Sequence, residues 1–277
     1  MPEAQVRSLR PWSAPEGPLG ELTAHSLIRA RESALARAEL EAIVADLAAA
    51  PDLASALCGP LVRVIAEIKR RSPSKGALNE SLDARSRAAE YAAGGAAALS
   101  VLTEPSRFGG SLSDLREARG AVELPLLRKD FITDAVQLLE ARAFGASGVL
   151  LIARALAPNV LSALARASLE MGLTPLIEVR DERELAEAIA VERAVIGVNN
   201  RNLETLEIDP RVGARLIPLV PAGRVAVYES GVSAVEDLRA AAATGADAVL
   251  VGSVLSAAPD GAAAVRALTQ QPRQPRG

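Results

Sequence analysis

Eight short aliphatic runs recur along this chain, each followed by a helical pattern, and few architectures accept that rhythm. The runs are LVRVIAE (61–67), AALSVL (97–102), LPLLR (124–128), GVLLI (148–152), TPLIEV (174–179), AVIGV (194–198), RVAVYE (224–229) and AVLVG (248–252). Amphipathic spacing predicts helices near 82–93, 111–119, 134–143, 158–171, 182–190, 209–217, 233–243 and 259–268. Units of roughly 20–35 residues with this alternation imply a parallel α/β sheet. Eight of them favour closure into a single (β/α)₈ TIM barrel, for which about 250 residues is usual. A doubly wound open sheet is the alternative on periodicity alone, but the Gly-x-Gly-x-x-Gly that should follow its first strand is missing.

The barrel proper is expected over 61–270. Residues 1–25, with Pro2, Pro11, Pro15, Pro18, Gly17 and Gly20, read as an extended or flexible lead-in. Residues 26–60 read as a helical extension, one or two amphipathic helices carrying Leu27, Ile28, Leu35, Ile43, Val44 and Leu47 and ending near Pro51. Gly145-Ala146-Ser147 and Gly245-Ala246-Asp247 read as helix C-caps entering short loops before the next strand.

Composition then removes whole classes of chemistry. A net charge of −3 without a basic block argues against nucleic acid as a partner. One Cys (Cys58) and one His (His25) leave no Cys/His metal cage, no Ser-His-Asp triad and no disulfide framework. No signal-peptide core or membrane span is expected, so a cytoplasmic enzyme is the simplest reading. Such an enzyme must work with Lys, Glu, Asp, Arg and hydroxyl groups.

Catalytic groups of a barrel sit at the C-terminal ends of its strands. The first run ends in Glu67 and Lys69, two apart and therefore on one face. The third leads into Arg128-Lys129-Asp130, the fifth ends in Glu178, the sixth gives Asn199 and Arg201, and the seventh ends in Glu229. Three acids and two lysines are thus expected on one rim. Ser230-Gly231 and Gly252-Ser253 follow the last two strands, where barrels commonly bind phosphate on backbone N–H groups and a helix N-terminus.

Several segments resemble indole-3-glycerol phosphate synthases: IAEIKRRSPSKG (65–76), LSVLTEPSRFGGSLSDL (99–115), LPLLRKDFI (124–132), LIEV (176–179), IGVNNRNL (196–203), ESGV (229–232) and GADAVLVG (245–252). They run in order from about residue 60 to about 268. The motif around Ser72-Pro73-Ser74-Lys75-Gly76 together with RKDF carries most of the specificity.

The resemblance implies a carboxy-lyase of tryptophan biosynthesis. It would convert 1-(2-carboxyphenylamino)-1-deoxyribulose 5-phosphate to indole-3-glycerol phosphate with loss of CO₂ and water, using no cofactor and no metal. By position, Lys129 would be the general acid of ring closure and Glu178 the acid/base of dehydration. Lys69 would bind the substrate carboxylate, Glu67 and Glu229 would orient the lysines, and Asn199 would position the substrate. Ser72, Ser230, Gly231, Gly252 and Ser253 would hold phosphate, and Phe108 and Phe131 would enclose the anthranilate ring. Arg201, a further substrate-side residue, is expected to anchor the rim through carboxylates.

The expected partner is this phosphorylated small molecule, with neither nucleic acid nor membrane, and the chain is expected as a monomer or weak homodimer. Tyr228 stands where the family usually has a small residue, and strand alternation points it outward between helices. Two other readings stay open here. A phosphoribosylanthranilate isomerase would need a Cys/Asp pair, but Cys58 reads as a buried small apolar residue. A non-catalytic phosphate-binding barrel would have lost Lys129 or Glu178.

Overall fold

The computed structural model describes residues 12–73 and 76–276. Each of the eight aliphatic runs forms a strand: β1 (Arg63–Ile68), β2 (Ala98–Leu102), β3 (Leu126–Lys129), β4 (Gly148–Ile152), β5 (Thr174–Val179), β6 (Val195–Asn199), β7 (Ala226–Glu229) and β8 (Ala248–Val251). All neighbours pair parallel, and β1 pairs with both β2 and β8, which closes the barrel. The helices between them are α1 (Ala84–Ala93), α2 (Leu112–Arg119), α3 (Val136–Ala143), α4 (Pro158–Glu170), α5 (Glu182–Ile189), α6 (Arg211–Leu216), α7 (Val235–Ala243) and α8 (Gly261–Arg266). The open-sheet alternative is thereby excluded.

Strand alternation sorts the core into two shells. Ile65, Leu127, Leu176 and Val227 point into the barrel, whereas Val64, Leu126, Ile177 and Tyr228 pack outward under the helices. Tyr228 lies, as alternation predicts, against α6, where a Cβ on Gly213 would meet its ring. Two residues further along each odd-numbered strand, the inward position changes from apolar to charged: Glu67, Lys129, Glu178 and Glu229.

Register explains why these four share a level. Glu67 is in register with Ser100 and Ser100 with Leu127, two residues short of Lys129. Glu178 aligns with Gly197 and Gly197 with Val227, two short of Glu229. Glu229 aligns with Leu250 and Leu250 with Ile65, two short of Glu67. A slip of two at each step around the ring is the shear of about eight that closes an eight-stranded barrel. It stacks side chains from alternate strands in layers of four. The uppermost layer of the odd strands is therefore a charged quartet on an apolar one.

The N-terminal region departs from expectation. A helix begins at Gly17 and runs to Ser33, so the part of the expected lead-in from Gly17 onward is helical. Pro18 lies in its first turn, where a missing N–H costs nothing and the ring's fixed φ suits the helix. Residues 1–11 of that lead-in, like Ser74 and Lys75 of the Ser-Pro-Ser-Lys-Gly motif, lie outside the described residues. A second helix covers Arg37–Ala45, and a short turn covers Leu53–Ala56.

Leu19 and Leu22 of the first helix join the interior cluster at the mouth, while Leu53 and Leu57 plug the opposite end. At that lower end Gly148 has no Cβ to clash with Leu53. The C-terminal segment straps the same end: Arg273 N–H donates to the Pro60 carbonyl, and the Arg276 guanidinium pairs with Asp247 at 2.6 Å. Gly145 and Gly245 have φ of +94° and +86°, the left-handed turn expected after α3 and α7.

Candidate active site

At the C-terminal mouth lies a cavity of about 280 Å³. Its floor is the charged quartet. Lys129 Nζ donates to Glu178 Oε2 at 3.0 Å and to Glu229 Oε2 at 2.9 Å. Lys69 lies one step beyond β1 and pairs with Glu67 Oε1 at 2.5 Å. The side chains of Glu67, Glu178 and Glu229 are 5%, 5% and 2% exposed. At this depth each charge needs a partner.

Burial alone would drive the Lys129 ammonium toward its neutral form, but Glu178, Glu229 and Glu67 outweigh burial and hold it above the usual lysine range. Burial pushes Glu229 up to about 7, with Lys129 opposing and Glu178 and Glu67 adding to the rise. Lys129 is thus held as its ammonium form beside a Glu229 carboxyl that burial raises.

Two glycines make this packing possible. A Cβ on Gly197 of β6 would collide with the Glu229 carboxylate and with Leu176. One on Gly252 would collide with Glu67 and stand 2.9 Å from Lys69 Nζ. Gly252 was expected only as a phosphate contact, and Gly197 was not singled out. Its signal was present, however, in the inward sequence Val195-Gly197-Asn199, where a gap appears beside the charged level.

The remaining expected residues line the same cavity. Phe108 and Phe131 form a tilted pair with centroids 6.2 Å apart on one side. Ser72, Ser230, Gly231, Gly252 and Ser253 line it too, with Ser230 and Gly231 both at positive φ (+64° and +93°). Asn199 Oδ1 accepts the Arg201 N–H at 2.9 Å, which fixes the amide at the cavity wall.

Arg201 is the exception in kind. It lines the cavity, but its guanidinium donates to the Leu206 carbonyl at 2.9 Å rather than to a carboxylate. It therefore ties the loop after β6 to itself. Cys58 is exposed and does not line the cavity, so neither the buried reading nor a cysteine-based isomerase applies. Among the described residues, no group of three or more His, Cys, Asp and Glu is placed to hold a metal ion. None of their helices is long and apolar enough to cross a membrane.

Pro18 and Leu22 of the N-terminal helix also line the cavity, which linear reasoning did not foresee. The helix is tied down by Arg29, whose guanidinium reaches Asp130 at 2.6 Å and Glu104 at 3.5 Å. Asp130 accepts the Phe131 N–H, and Glu104 accepts three N–H groups of the turn that carries Phe108. Burial would raise the Asp130 carboxyl, but Arg128 and Arg29 keep it below the usual carboxylate range. One arginine thus braces both aromatic loops.

A model of the indole-3-glycerol phosphate synthase family matches residues 25–268. The chain is 49% identical over 245 residues to indole-3-glycerol phosphate synthase 1 of Streptomyces coelicolor, covering 88% of this chain and 91% of that one. To the indole-3-glycerol phosphate synthase of a Nocardioides species it is 50% identical, covering 86% and 92%. Among solved structures, 3-hexulose-6-phosphate synthase from Salmonella typhimurium is similar with a TM-score of 0.61 at 15% identity, covering 76% of this chain and 97% of that one. The tryptophan synthase alpha chain from Legionella pneumophila is similar at 0.56 and 16%, covering 75% and 90%. At such identities these two speak to the barrel fold alone. The family match and the relatives extend over the rim residues as well as the barrel, and the chain belongs to the indole-3-glycerol phosphate synthase family.

Proposed function

We propose that the quartet at the barrel mouth carries the family's ring closure on 1-(2-carboxyphenylamino)-1-deoxyribulose 5-phosphate, with Lys129 and Glu178 as the principal proton carriers. The observation that supports this best is the Lys129 ammonium held between Glu178 and Glu229 at the floor of a cavity with aromatic rings on one side and Gly/Ser loops on the other.

The substrate's aryl ring lies against Phe108 and Phe131, and its phosphate is held by Ser72, Ser230, Gly231, Gly252 and Ser253. That orientation puts the keto group over the quartet. Lys129 donates its proton to the keto oxygen as the aryl carbon attacks, because charge develops on that oxygen in the transition state. Lys69 binds the departing carboxylate, and loss of CO₂ restores the aromatic ring. Dehydration follows: Glu178 takes a proton from the carbon beside nitrogen and delivers it to the hydroxyl, which leaves as water. Glu67 fixes Lys69, Glu229 fixes Lys129, and Asn199 and Arg201 shape the wall. No step draws on a cofactor. The enzyme is placed in the cytoplasm as a monomer or weak homodimer.

The test is turnover of the purified protein followed by indole fluorescence. Removing a positioned general acid or base costs about 10²–10⁴-fold. Lys129→Ala is expected to abolish turnover and Glu178→Gln to reduce it severely. Robust turnover by Lys129→Ala overturns the assignment of the acid.

A further inference from the structure

Counted atom by atom, the proposed reaction consumes a proton. The keto oxygen takes up two protons and leaves as water, while the carbon beside nitrogen gives up one. The carboxylate departs as neutral CO₂, its bonding electrons remaining in the ring. One proton per turnover must therefore come from solvent, while the substrate fills the cavity above a quartet that is almost wholly buried.

A second cavity, of about 170 Å³, opens behind Glu178 among the loops that follow β4, β5 and β6. It shares Glu178 and Arg201 with the first. Arg180 Nε, which is buried and without a hydrogen-bond partner, belongs to a residue of its wall. An N–H in that condition calls for water, and this space is large enough to hold it.

Glu184 stands in the same wall, 3% exposed. It is the third residue of α5. Asp181 caps that helix by accepting the Glu184 N–H at 2.8 Å, and Glu184 Oε2 accepts the Arg180 N–H at 2.7 Å. An exposed glutamate would cap a helix equally well, so capping does not account for the burial of this one.

We propose that Glu184 relays solvent protons through this second cavity to Glu178, recharging the active site after each turnover. The inference rests on the reading of Glu178 as the acid/base. In the relay, the Glu184 carboxyl gives its proton through water to the Glu178 carboxylate, which passes it across their 3.0 Å contact to the Lys129 amine left deprotonated by the turnover, and Glu184 regains a proton from the solvent side. Only O–H bonds form and break.

The surroundings suit that task. Burial first, then Asp181 and Glu178, push Glu184 up to about 7, against the Arg180 N–H and Arg183. Both protonation states are therefore populated near neutral pH. Across the cavity, Arg154 is engaged by Glu204 at 2.7 Å and Arg201 by the Leu206 carbonyl, so neither guanidinium pins Glu184 in its charged form.

Glu184→Gln keeps an acceptor for the Arg180 N–H but carries no exchangeable acid. Its first turnover should match wild type, its kcat should fall about 10²-fold, the low end for a positioned proton carrier, and its KM should stay within twofold. Imidazole added as a small proton donor should restore kcat in proportion to its concentration, whereas wild type should be indifferent to it. An unchanged kcat, or a loss that imidazole does not repair, overturns the relay.

If the variant does not fold, wild type in weak buffer with a pH indicator decides the matter. Proton uptake should lag the first indole formed, and simultaneous uptake overturns the proposal. Glu178→Gln separates the two readings. If it is inactive while Glu184→Gln is normal, only the relay falls; if it is fully active, the role of Glu178 itself is lost.

Discussion

Adding one methyl group at Gly197 should disable this enzyme without unfolding it. An ideal Cβ there stands 2.6 Å from Leu176 Cδ2 and 3.3 Å from Glu229 Cδ, and well inside contact distance of Glu229 Oε1. Ordinary contacts begin at 3.4 Å. Leu176 must therefore give by about 0.8 Å (3.4 − 2.6), and the carboxyl must turn or withdraw by about 1 Å in an interior with few voids. Overpacking of this kind costs about 1–3 kcal/mol, which lowers Tm by roughly 2–12 °C in a chain of this size. The larger effect is on geometry. Glu229 Oε2 lies 2.9 Å from Lys129 Nζ, and a displacement of that size takes it out of hydrogen-bond reach.

Misplacement by about 1 Å at a reacting centre costs about 10²-fold, so kcat of Gly197→Ala should fall about a hundredfold. KM should change little, because no aromatic or phosphate contact is touched. Product fluorescence gives kcat and KM, and a thermal melt gives stability. Gly223→Ala is the control, since nothing lies within 4 Å of a Cβ there. A folded Gly197→Ala protein with kcat within threefold of wild type refutes the importance of the Glu229 position.

Asp247→Ala should cost about 3–5 kcal/mol in a urea titration, because it leaves the charge of the 3%-exposed Arg276 side chain buried without its carboxylate, with only the Gly245 and Arg224 carbonyls to receive it. Glu184 carries a native pKa above its ordinary 4.5, so the folded state holds more protons than the unfolded one. Wild-type stability should therefore fall from about pH 4.5 and level off above about pH 7, by up to about 3 kcal/mol relative to Glu184→Gln; parallel stability curves for the two proteins would contradict this. Arg29→Met should raise KM several-fold by loosening the Phe108 and Phe131 loops together, and Arg29→Lys should recover part of the loss; equal KM values for all three proteins would show that the brace does not reach the substrate.

Much of the site was legible because strand alternation is a local property. Glu67, Lys129, Glu178 and Glu229 could be placed inward at strand ends from residue parity, since side chains of successive residues must point to opposite faces. The eight-unit rhythm in turn favoured a closed barrel over an open sheet, and the pairing of β1 with β8 decided it. Family resemblance extended this to Phe108, Phe131 and the Gly/Ser loops, all of which line one cavity. The start of the N-terminal helix was misread because Pro18 and Gly17 look like breakers until the helix is known to begin there. Cys58 was misread because a leucine-rich neighbourhood does not reveal which face of a short turn meets solvent.

What the sequence by itself determined is thus the number of units, their order, and which residues face the barrel axis. Which of those residues touch was decided only by closure. The two-residue slip between successive odd strands raises Lys129, Glu178, Glu229 and Glu67 to one level, and that slip is a property of the whole ring. The same holds for the collision awaiting any side chain at Gly197, the carbonyl that engages Arg201, and the cavity behind Glu178. Each depends on segments far apart in the chain, whose separation is set by shear and packing rather than by any local pattern.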